Sequence, residues 1–247
     1  MKTALTIAGF DPSGRAGVIA DIKTFDAFGV EGIAAVSALT AQNRKTVKST
    51  LNVNPAFLEK EIGALAEGAA IDAIKIGMLG SAANVMAVIK IIKKNKFKNI
   101  VLDTVFCSTG GYPLLDKKGI AEIKRLLPLV AVVTPNLAEA SILSNIKIKN
   151  INDMEDAARK IHSFGAAKCL VKGGHLKGDP VDVLFDGKRF YYFKGRRIKA
   201  EREVLHGTGC ILSSGIAAGL AKGRSVRRAV TEARGYLMGE LEERVRR

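Results

Sequence analysis

Cysteine is scarce in this chain. Cys107, Cys169 and Cys210 are the only three in 247 residues, widely spaced and with no CxxC, which excludes a disulfide framework and a thiolate zinc site. The N-terminus lacks a long apolar run too. Its run in TALTIAG gives way to Gly9 and Asp11 after about six residues, too short for a signal h-region or a membrane span. A cytoplasmic protein without a membrane partner is therefore expected. No Gly/Ser/Pro-rich or single-sign stretch is long enough to act as a linker, so one domain over 1–247 is expected. The dinucleotide fingerprint GxGxxG and the P-loop GxxxxGK[ST] are both absent, which removes Rossmann redox chemistry and a Walker nucleotide site.

What the chain has in excess is positive charge, a formal +15 from 39 Lys and Arg against 24 Asp and Glu. Nucleic acid, an anionic small molecule or a solvated basic surface would each suit that balance. The basic residues fall in separate clusters, at 90–99, at 188–202 and at the C-terminus, and no helix-turn-helix, RNP or KH pattern accompanies them. A solvated basic surface without a nucleic-acid partner is the better reading.

Short apolar runs alternate with amphipathic ones. The runs at 3–9, 33–42, 72–78, 99–105, 131–136 and 168–174 lack strict alternation, as strands buried on both faces do. Helical patterns fill 17–29, 55–68, 81–95, 116–126 and 152–164, and two more follow at about 208–222 and 225–243. This order implies a doubly wound α/β sheet with helices on both faces. VDVLFDGKRFYYFKG differs, since alternating segments flank Asp186-Gly187, which predicts an antiparallel hairpin at a sheet edge. Ligands of open α/β sheets bind at the carboxyl ends of strands, where the polar and glycine-rich segments of this chain collect.

Among those segments, HGTGC at 206–210 opens a helix. Gly207 and Gly209 allow the amides of Gly207, Thr208, Gly209 and Cys210 to point into one cavity, and the helix dipole adds to them, a nest suited to a phosphoryl group. A helix N-terminus also lowers a thiol pKa, so a reactive Cys210 is expected; the bland alternative is a tight turn with Cys210 as a small hydrophobe. In GFDPSGRAGVIADIKTFDAFG, Val18, Ile19, Ile22 and Phe25 form the predicted apolar face, with Asp21 at its margin either facing a ligand or complementing the dipole. Gln42 follows a strand and can pair with a heteroaromatic ring edge or be an ordinary loop amide. Asp103 ends a strand, and Asn136 and Glu139 share one face of a helix. Those carboxylates suit a Mg²⁺ shell, while Asn136 and Glu139 equally suit a capping box. Lys172, in KGGH, is a phosphate contact or a surface lysine.

Taken in order, ALTIAGFDPSGRAGVIADIKTFDAFGV, ALTAQN, DAIKIGMLGS, VLDTV, VVTPNLAEA, LVKGGH and HGTGC resemble the hydroxymethylpyrimidine and phosphomethylpyrimidine kinases of thiamine biosynthesis, in the ribokinase-like superfamily. The resemblance spans about 3–240. It implies a three-layer α/β/α sandwich that phosphorylates the hydroxymethyl group of a pyrimidine and then the monophosphate, using ATP and Mg²⁺, and relatives are commonly homodimers. By the same resemblance Gly9, Asp21, Gln42 and Met78 match pyrimidine contacts and Cys107 another pocket-lining position. Asp103 and Glu139 match the metal and phosphate side, and Gly207 to Cys210 match the anion hole, with Cys210 where many superfamily members carry an aspartate base; beside these, Asn136 and Lys172 are the candidate nucleotide-phosphate contacts.

The chain departs from that family at Phe10, usually serine, Arg15, usually glycine, Thr104, usually proline, and Thr109, usually lysine. Arg15 is a candidate replacement for the cation missing at Thr109. A pyridoxal kinase of the same superfamily is the nearest rival reading, and a non-catalytic pyrimidine-binding regulator is another. The glutamine of TAQN favours the pyrimidine, and Asp103, Glu139 and the whole GTGC loop favour catalysis. The hairpin at about 180–195 is the expected self-association surface.

Overall fold

Residues that alternate between large and small side chains along the central strands explain how the layers assemble. The computed structural model describes residues 1–174, 176 and 178–246; His175, the last residue of KGGH, lies outside that range. The central strands are β1 (Thr3–Phe10), β4 (Ala73–Ile76) and β5 (Ile100–Leu102). Leu5, Ile7, Ile74, Ile76, Ile100 and Leu102 point to one core, while Ala4, Ala73 and Val101 point to another, as period-two geometry requires. The first core is closed by α2 (Pro55–Gly68), α3 (Ala82–Asn95), α4 (Lys117–Leu126), α5 (Leu137–Ser144) and α6 (Ile151–His162). The second, with the smaller strand residues, is closed by α1 (Gly17–Ala27), α8 (Thr208–Ala221) and α9 (Val226–Arg246).

The remaining strands are β2 (Glu31–Gln42), β3 (Val47–Asn52), β6 (Val132–Val133), β7 (Cys169–Val171), β8 (Val181–Phe185) and β9 (Phe190–Lys194). The sheet runs β3-β2-β1-β4-β5-β6-β7-β8-β9. β2, β1, β4, β5, β6 and β7 pair in parallel, and the strands at both edges pair antiparallel. The order reverses at β1, whose parallel neighbours are β2 and β4, and such a switch point opens a crevice at the strands' carboxyl ends.

The mostly parallel sheet with helices on both sides agrees with the sequence reading, and so does the β8–β9 hairpin. There Asp186 Oδ1 accepts the Lys188 and Arg189 amides at 2.9 and 2.8 Å, and Gly187 takes φ +95°. Two features differ. β3 is an additional edge strand, exposed along most of its length, whose turn is set by Asn43 Oδ1 accepting the Lys45 and Thr46 amides, both at 2.9 Å. Three central strands also stop early, so that Asp103, Thr134 and Lys172 stand just beyond β5, β6 and β7 instead of within them. Their polar side chains leave the ladder for the crevice.

The short helix α7 (Arg202–Leu205) leads into α8. Glu203–Ala221 is long and apolar enough to cross a membrane by length and composition, with mean hydropathy 1.4, but 61% of that window is buried inside the protein. Small residues make this packing close. A Cβ on Gly215 would stand 2.8 Å from the Ala233 Cβ, and one on Gly219 2.7 Å from the Ala229 Cβ. Ile216, 0% exposed, is wedged in the same core. Ile216→Ala should therefore cost about 2–5 kcal/mol in a urea melt, through lost burial and an unfilled cavity.

Candidate active site

The turn before α8 is forced by sterics. Gly207 is the N-cap with φ 83° and ψ 0°, in the left-handed region, and a Cβ there would collide with the Arg15 carbonyl. No side chain caps α8. Its first helical bond is Ile211 N–H to Gly207 O at 3.0 Å, so the amides of Thr208, Gly209 and Cys210 have no intrahelical acceptor. This is the geometry of an anion nest at the positive end of a helix.

Facing Gly209 are Lys172 and Asp103: Lys172 Nζ and Asp103 Oδ2 would lie 3.3 and 3.6 Å from a Cβ there. Lys172 is no surface lysine. Its Nζ donates to Asp103 Oδ1 at 2.9 Å, with side-chain exposures of only 15% and 3%. Burial pushes the Asp103 carboxyl up, but the Lys172 and Lys75 charges and the hydrogen bonds from Lys172 and Ser213 outweigh it and hold the group below its usual value. The ammonium of Lys172 is held above its usual range, because Asp103 and Glu139 oppose the cost of burial.

Glu139 sits one helix start away. Asn136 caps α5 by accepting the Glu139 amide at 3.0 Å, while Glu139 Oε2 accepts the Asn136 amide at 2.8 Å and the Thr104 hydroxyl at 3.0 Å, so the capping box is real. Thr104 thus supplies a donor where the family pattern has proline. Burial, reinforced by Asp103 and opposed by Lys172 and these hydrogen bonds, raises the Glu139 carboxyl to about 7. Among the described residues no group of three or more His, Cys, Asp and Glu could enclose a metal. Two hard oxygen donors short of a cage fit Mg²⁺, which keeps water and phosphate oxygens in its shell, better than a structural metal.

Beneath the nest lies a buried ion pair. Lys75 Nζ meets Asp21 Oδ1 and Oδ2 at 2.9 and 2.7 Å, both side chains 0% exposed. Thr6 Oγ1 donates to Oδ2 at 2.6 Å and Ser214 Oγ to Oδ1 at 2.7 Å. Asp21 therefore corrects two expectations. It lies outside the first turn of α1, which holds no acid, and it presents no surface to a ligand because its oxygens are taken up internally. The buried face of α1 is Val18, Ala20, Asp21, Thr24 and Phe25, rotated from the expected apolar stripe to bring this carboxylate over the sheet.

Cys210 requires a correction as well. Burial raises its thiol to about 11, against the pull of the Lys75 charge and the Gly17 amide. The thiol is thus held above its usual range, where the sequence pattern implied a lowered one.

Near the end of β1, a Cβ on Gly9 would stand 2.8 Å from Met78 Sδ, so a larger residue there would force the methionine to shift. Gln42 and His206 border a cleft of about 160 Å³, closed by Thr46, Ser108, Thr109 and Gly110. Cys107 is exposed and bridges to Pro113, and its neighbours 108–110 line the cleft in its place. Asp11 ties this region together, although the sequence reading passed over it. Its carboxylate accepts the Ser13 amide at 2.8 Å, the Ser13 hydroxyl and Ala16 amide at 2.9 Å, and His206 Nε2 at 3.2 Å. Burial opposes its ionisation, but His206, Gln42 and Ser13 hold it far below the usual carboxylate range. The signal for it was Asp-Pro-Ser-Gly, a turn former directly after a strand.

The phosphomethylpyrimidine kinase family model matches residues 11–247. A hydroxymethylpyrimidine/phosphomethylpyrimidine kinase of Aquifex aeolicus is 40% identical over 236 residues, covering 95% of this chain and 92% of that protein. The crystal structure of a phosphomethylpyrimidine kinase from Clostridium difficile 630 is similar at TM-score 0.86 and 36% identity, covering 97% and 99% of the two chains. A pyridoxal kinase from Staphylococcus aureus, in complex with AMP-PCP and pyridoxal, is similar at TM-score 0.86 and 32% identity, covering 95% and 85%. With such relatives, fold and nest define a phosphotransferase on a mostly parallel α/β/α framework. Within that class, the chain belongs to the phosphomethylpyrimidine kinase family.

The raised Glu139 carboxyl has a testable sign. A carboxyl raised from 4.5 to about 7 on folding contributes stability that is complete below pH 4.5 and is lost as pH rises through 7. Urea melts of wild type and Glu139→Gln should show the variant gaining on wild type between pH 5 and pH 8; a constant difference would contradict the assignment.

Proposed function

We propose that the chain transfers the γ-phosphoryl group of ATP to the hydroxymethyl group of 4-amino-5-hydroxymethyl-2-methylpyrimidine, then phosphorylates that monophosphate to the diphosphate used in thiamine biosynthesis. The observation that carries this reading is the uncapped start of α8 beside the Lys172–Asp103 pair. Phosphoryl transfer demands positioned charge more than covalent chemistry, and fixed amides act best where water is excluded. The amides of Thr208, Gly209 and Cys210 take the oxygens of the transferring group, with Lys172 as the adjacent cation. Asn136 lies on the nucleotide side, its chain bridged to Lys172.

Mg²⁺ is the implied metal, and Asp103 and Glu139 would hold it, where it would offset the charge of the phosphate oxygens. Gln42 pairs with the ring edge at the mouth of the cleft, and Gly9 and Met78, which pack on each other outside the residues that line it, give the pyrimidine an apolar contact. Asp21 serves the substrate indirectly, by fixing α1 beneath it. The chain acts as one kinase domain in the cytoplasm, as a homodimer. The edge strand β9, with Tyr192 47% exposed, supports the hairpin as the self-association surface.

Cys210 accepts the hydroxyl proton in the first step, while the second needs no base because its phosphate nucleophile is already ionised. A thiol near 11 is a scarce base at neutral pH, and its thiolate fraction rises about tenfold per pH unit below that value. Product analysis with ATP should therefore show the first phosphorylation accelerating from pH 7 to 9 and the second staying flat. Cys210→Ala should abolish that slope and impair the first step more than the second. Equal loss in both steps would reduce Cys210 to a positioning role. Turnover with pyridoxal exceeding that with the pyrimidine would favour the relative's substrate class.

A further inference from the structure

A second cleft, of about 330 Å³, lies behind the anion loop, between α1, the start of α8 and the C-terminal part of α9. That volume is at the lower end of the range for small-ligand sites. Arg15, Lys23, Arg44 and Arg244 line it, with Glu240 and Glu243 the acids present. Glu240 is engaged locally, accepting the Tyr236 hydroxyl at 3.3 Å and standing 3.9 Å from Arg244 Nε. Among the described residues no ion pair joins Arg15, Lys23 or Arg44 to a carboxylate. Lys23 Nζ reaches over the Gly14 turn, 3.8 Å from where a Cβ on Gly14 would stand. Arg244 is held below the usual guanidinium range by burial and then by the Arg15 charge, so two guanidinium groups repel each other across the cleft. Convergent like charge in a concave wall focuses a positive field, and paired guanidinium groups match phosphate oxygens.

The cleft shares its inner wall with the anion loop. The Arg15 carbonyl packs against Gly207, and Arg244 Nη1 donates to the carbonyls of His206 and Val204 at 3.0 and 3.3 Å. An anion drawn between Arg15 and Arg244 would relieve their repulsion and brace residues 204–207 from behind. None of the groups given to phosphoryl transfer lines this cleft except Arg15, the candidate replacement for the cation missing at Thr109.

We propose that this cleft is a second, non-catalytic site for a small diphosphate-class anion, whose binding steadies the anion loop through Arg15 and Arg244.

The test is calorimetric titration of inorganic pyrophosphate into the chain at low ionic strength, with the transfer site first saturated by Mg²⁺ and a non-hydrolysable ATP analogue. One pyrophosphate should still bind per chain. Lys23→Glu should weaken that binding about tenfold or more, as expected for losing a charge-assisted hydrogen bond, and should leave turnover without pyrophosphate unchanged. Lys23→Gln, which keeps a solvated polar side chain, should fall between. Titration with the pyrimidine diphosphate in place of pyrophosphate tells product feedback from sensing of the free anion, and binding of either one at a Lys23-dependent site supports the proposal. No binding to the saturated chain, or equal affinity in wild type and Lys23→Glu, overturns it. Because binding is read directly, these outcomes stand whether or not the chain acts on pyrimidines.

Discussion

The site rests on one buried ion pair, Asp21 with Lys75. Thr6 and Lys75 are register partners on β1 and β4, on the sheet face that also carries Ala4 and Ala73. Onto that pair of polar residues come Asp21 from α1 and Ser214 from α8, so four elements meet at one carboxylate. Taking two charges out of water is costly, and their attraction repays that cost only when the geometry is good and the remaining hydrogen-bonding capacity is satisfied. Here both Asp21 oxygens are doubly engaged. The pair fixes where α1 and α8 begin, and therefore where the loops that precede them lie.

Electrostatics then divides the crevice. Lys172 and Lys75 hold Asp103 ionised against burial, whereas Glu139, farther from compensation, drifts up to about 7. Lys75 also pulls on the Cys210 thiol without overcoming its desolvation. Cations placed against carboxylates, beside amides with no helical acceptor, give a region prepared for phosphate. Asp11 adds mechanical order by joining the 11–16 turn to His206, directly before Gly207. Most of the formal +15 charge has no part in this, since the basic clusters are distributed over the surface.

Much of this was legible in the sequence, and the failures have physical reasons. Unbroken apolar runs between helical patterns disclosed the parallel sheet, Asp186-Gly187 the hairpin, and the Asn136/Glu139 spacing its capping box. β3 was not legible because an edge strand exposed on both faces has no burial pattern to read. Lys75, in AIKI, looks like a lysine on a solvated strand face, and only tertiary packing supplies its partner from 54 residues away in sequence. Asp21 at the margin of an apolar helix was the matching half of that signal. The upward shift of the Cys210 thiol was not legible, because the burial that raises it comes from tertiary packing, whereas the sequence shows only the helix start that would lower it.

The most direct measurement of the ion pair's role compares Lys75→Met with the double variant Lys75→Met/Asp21→Leu, in stability and in phosphoryl transfer. Lys75→Met leaves the Asp21 charge buried without a partner and should cost about 3–5 kcal/mol, whereas the double variant should recover most of that loss. If the pair positions the anion loop, the double variant stays slow in both phosphorylation steps despite its restored stability. A stable double variant with wild-type turnover would contradict the account.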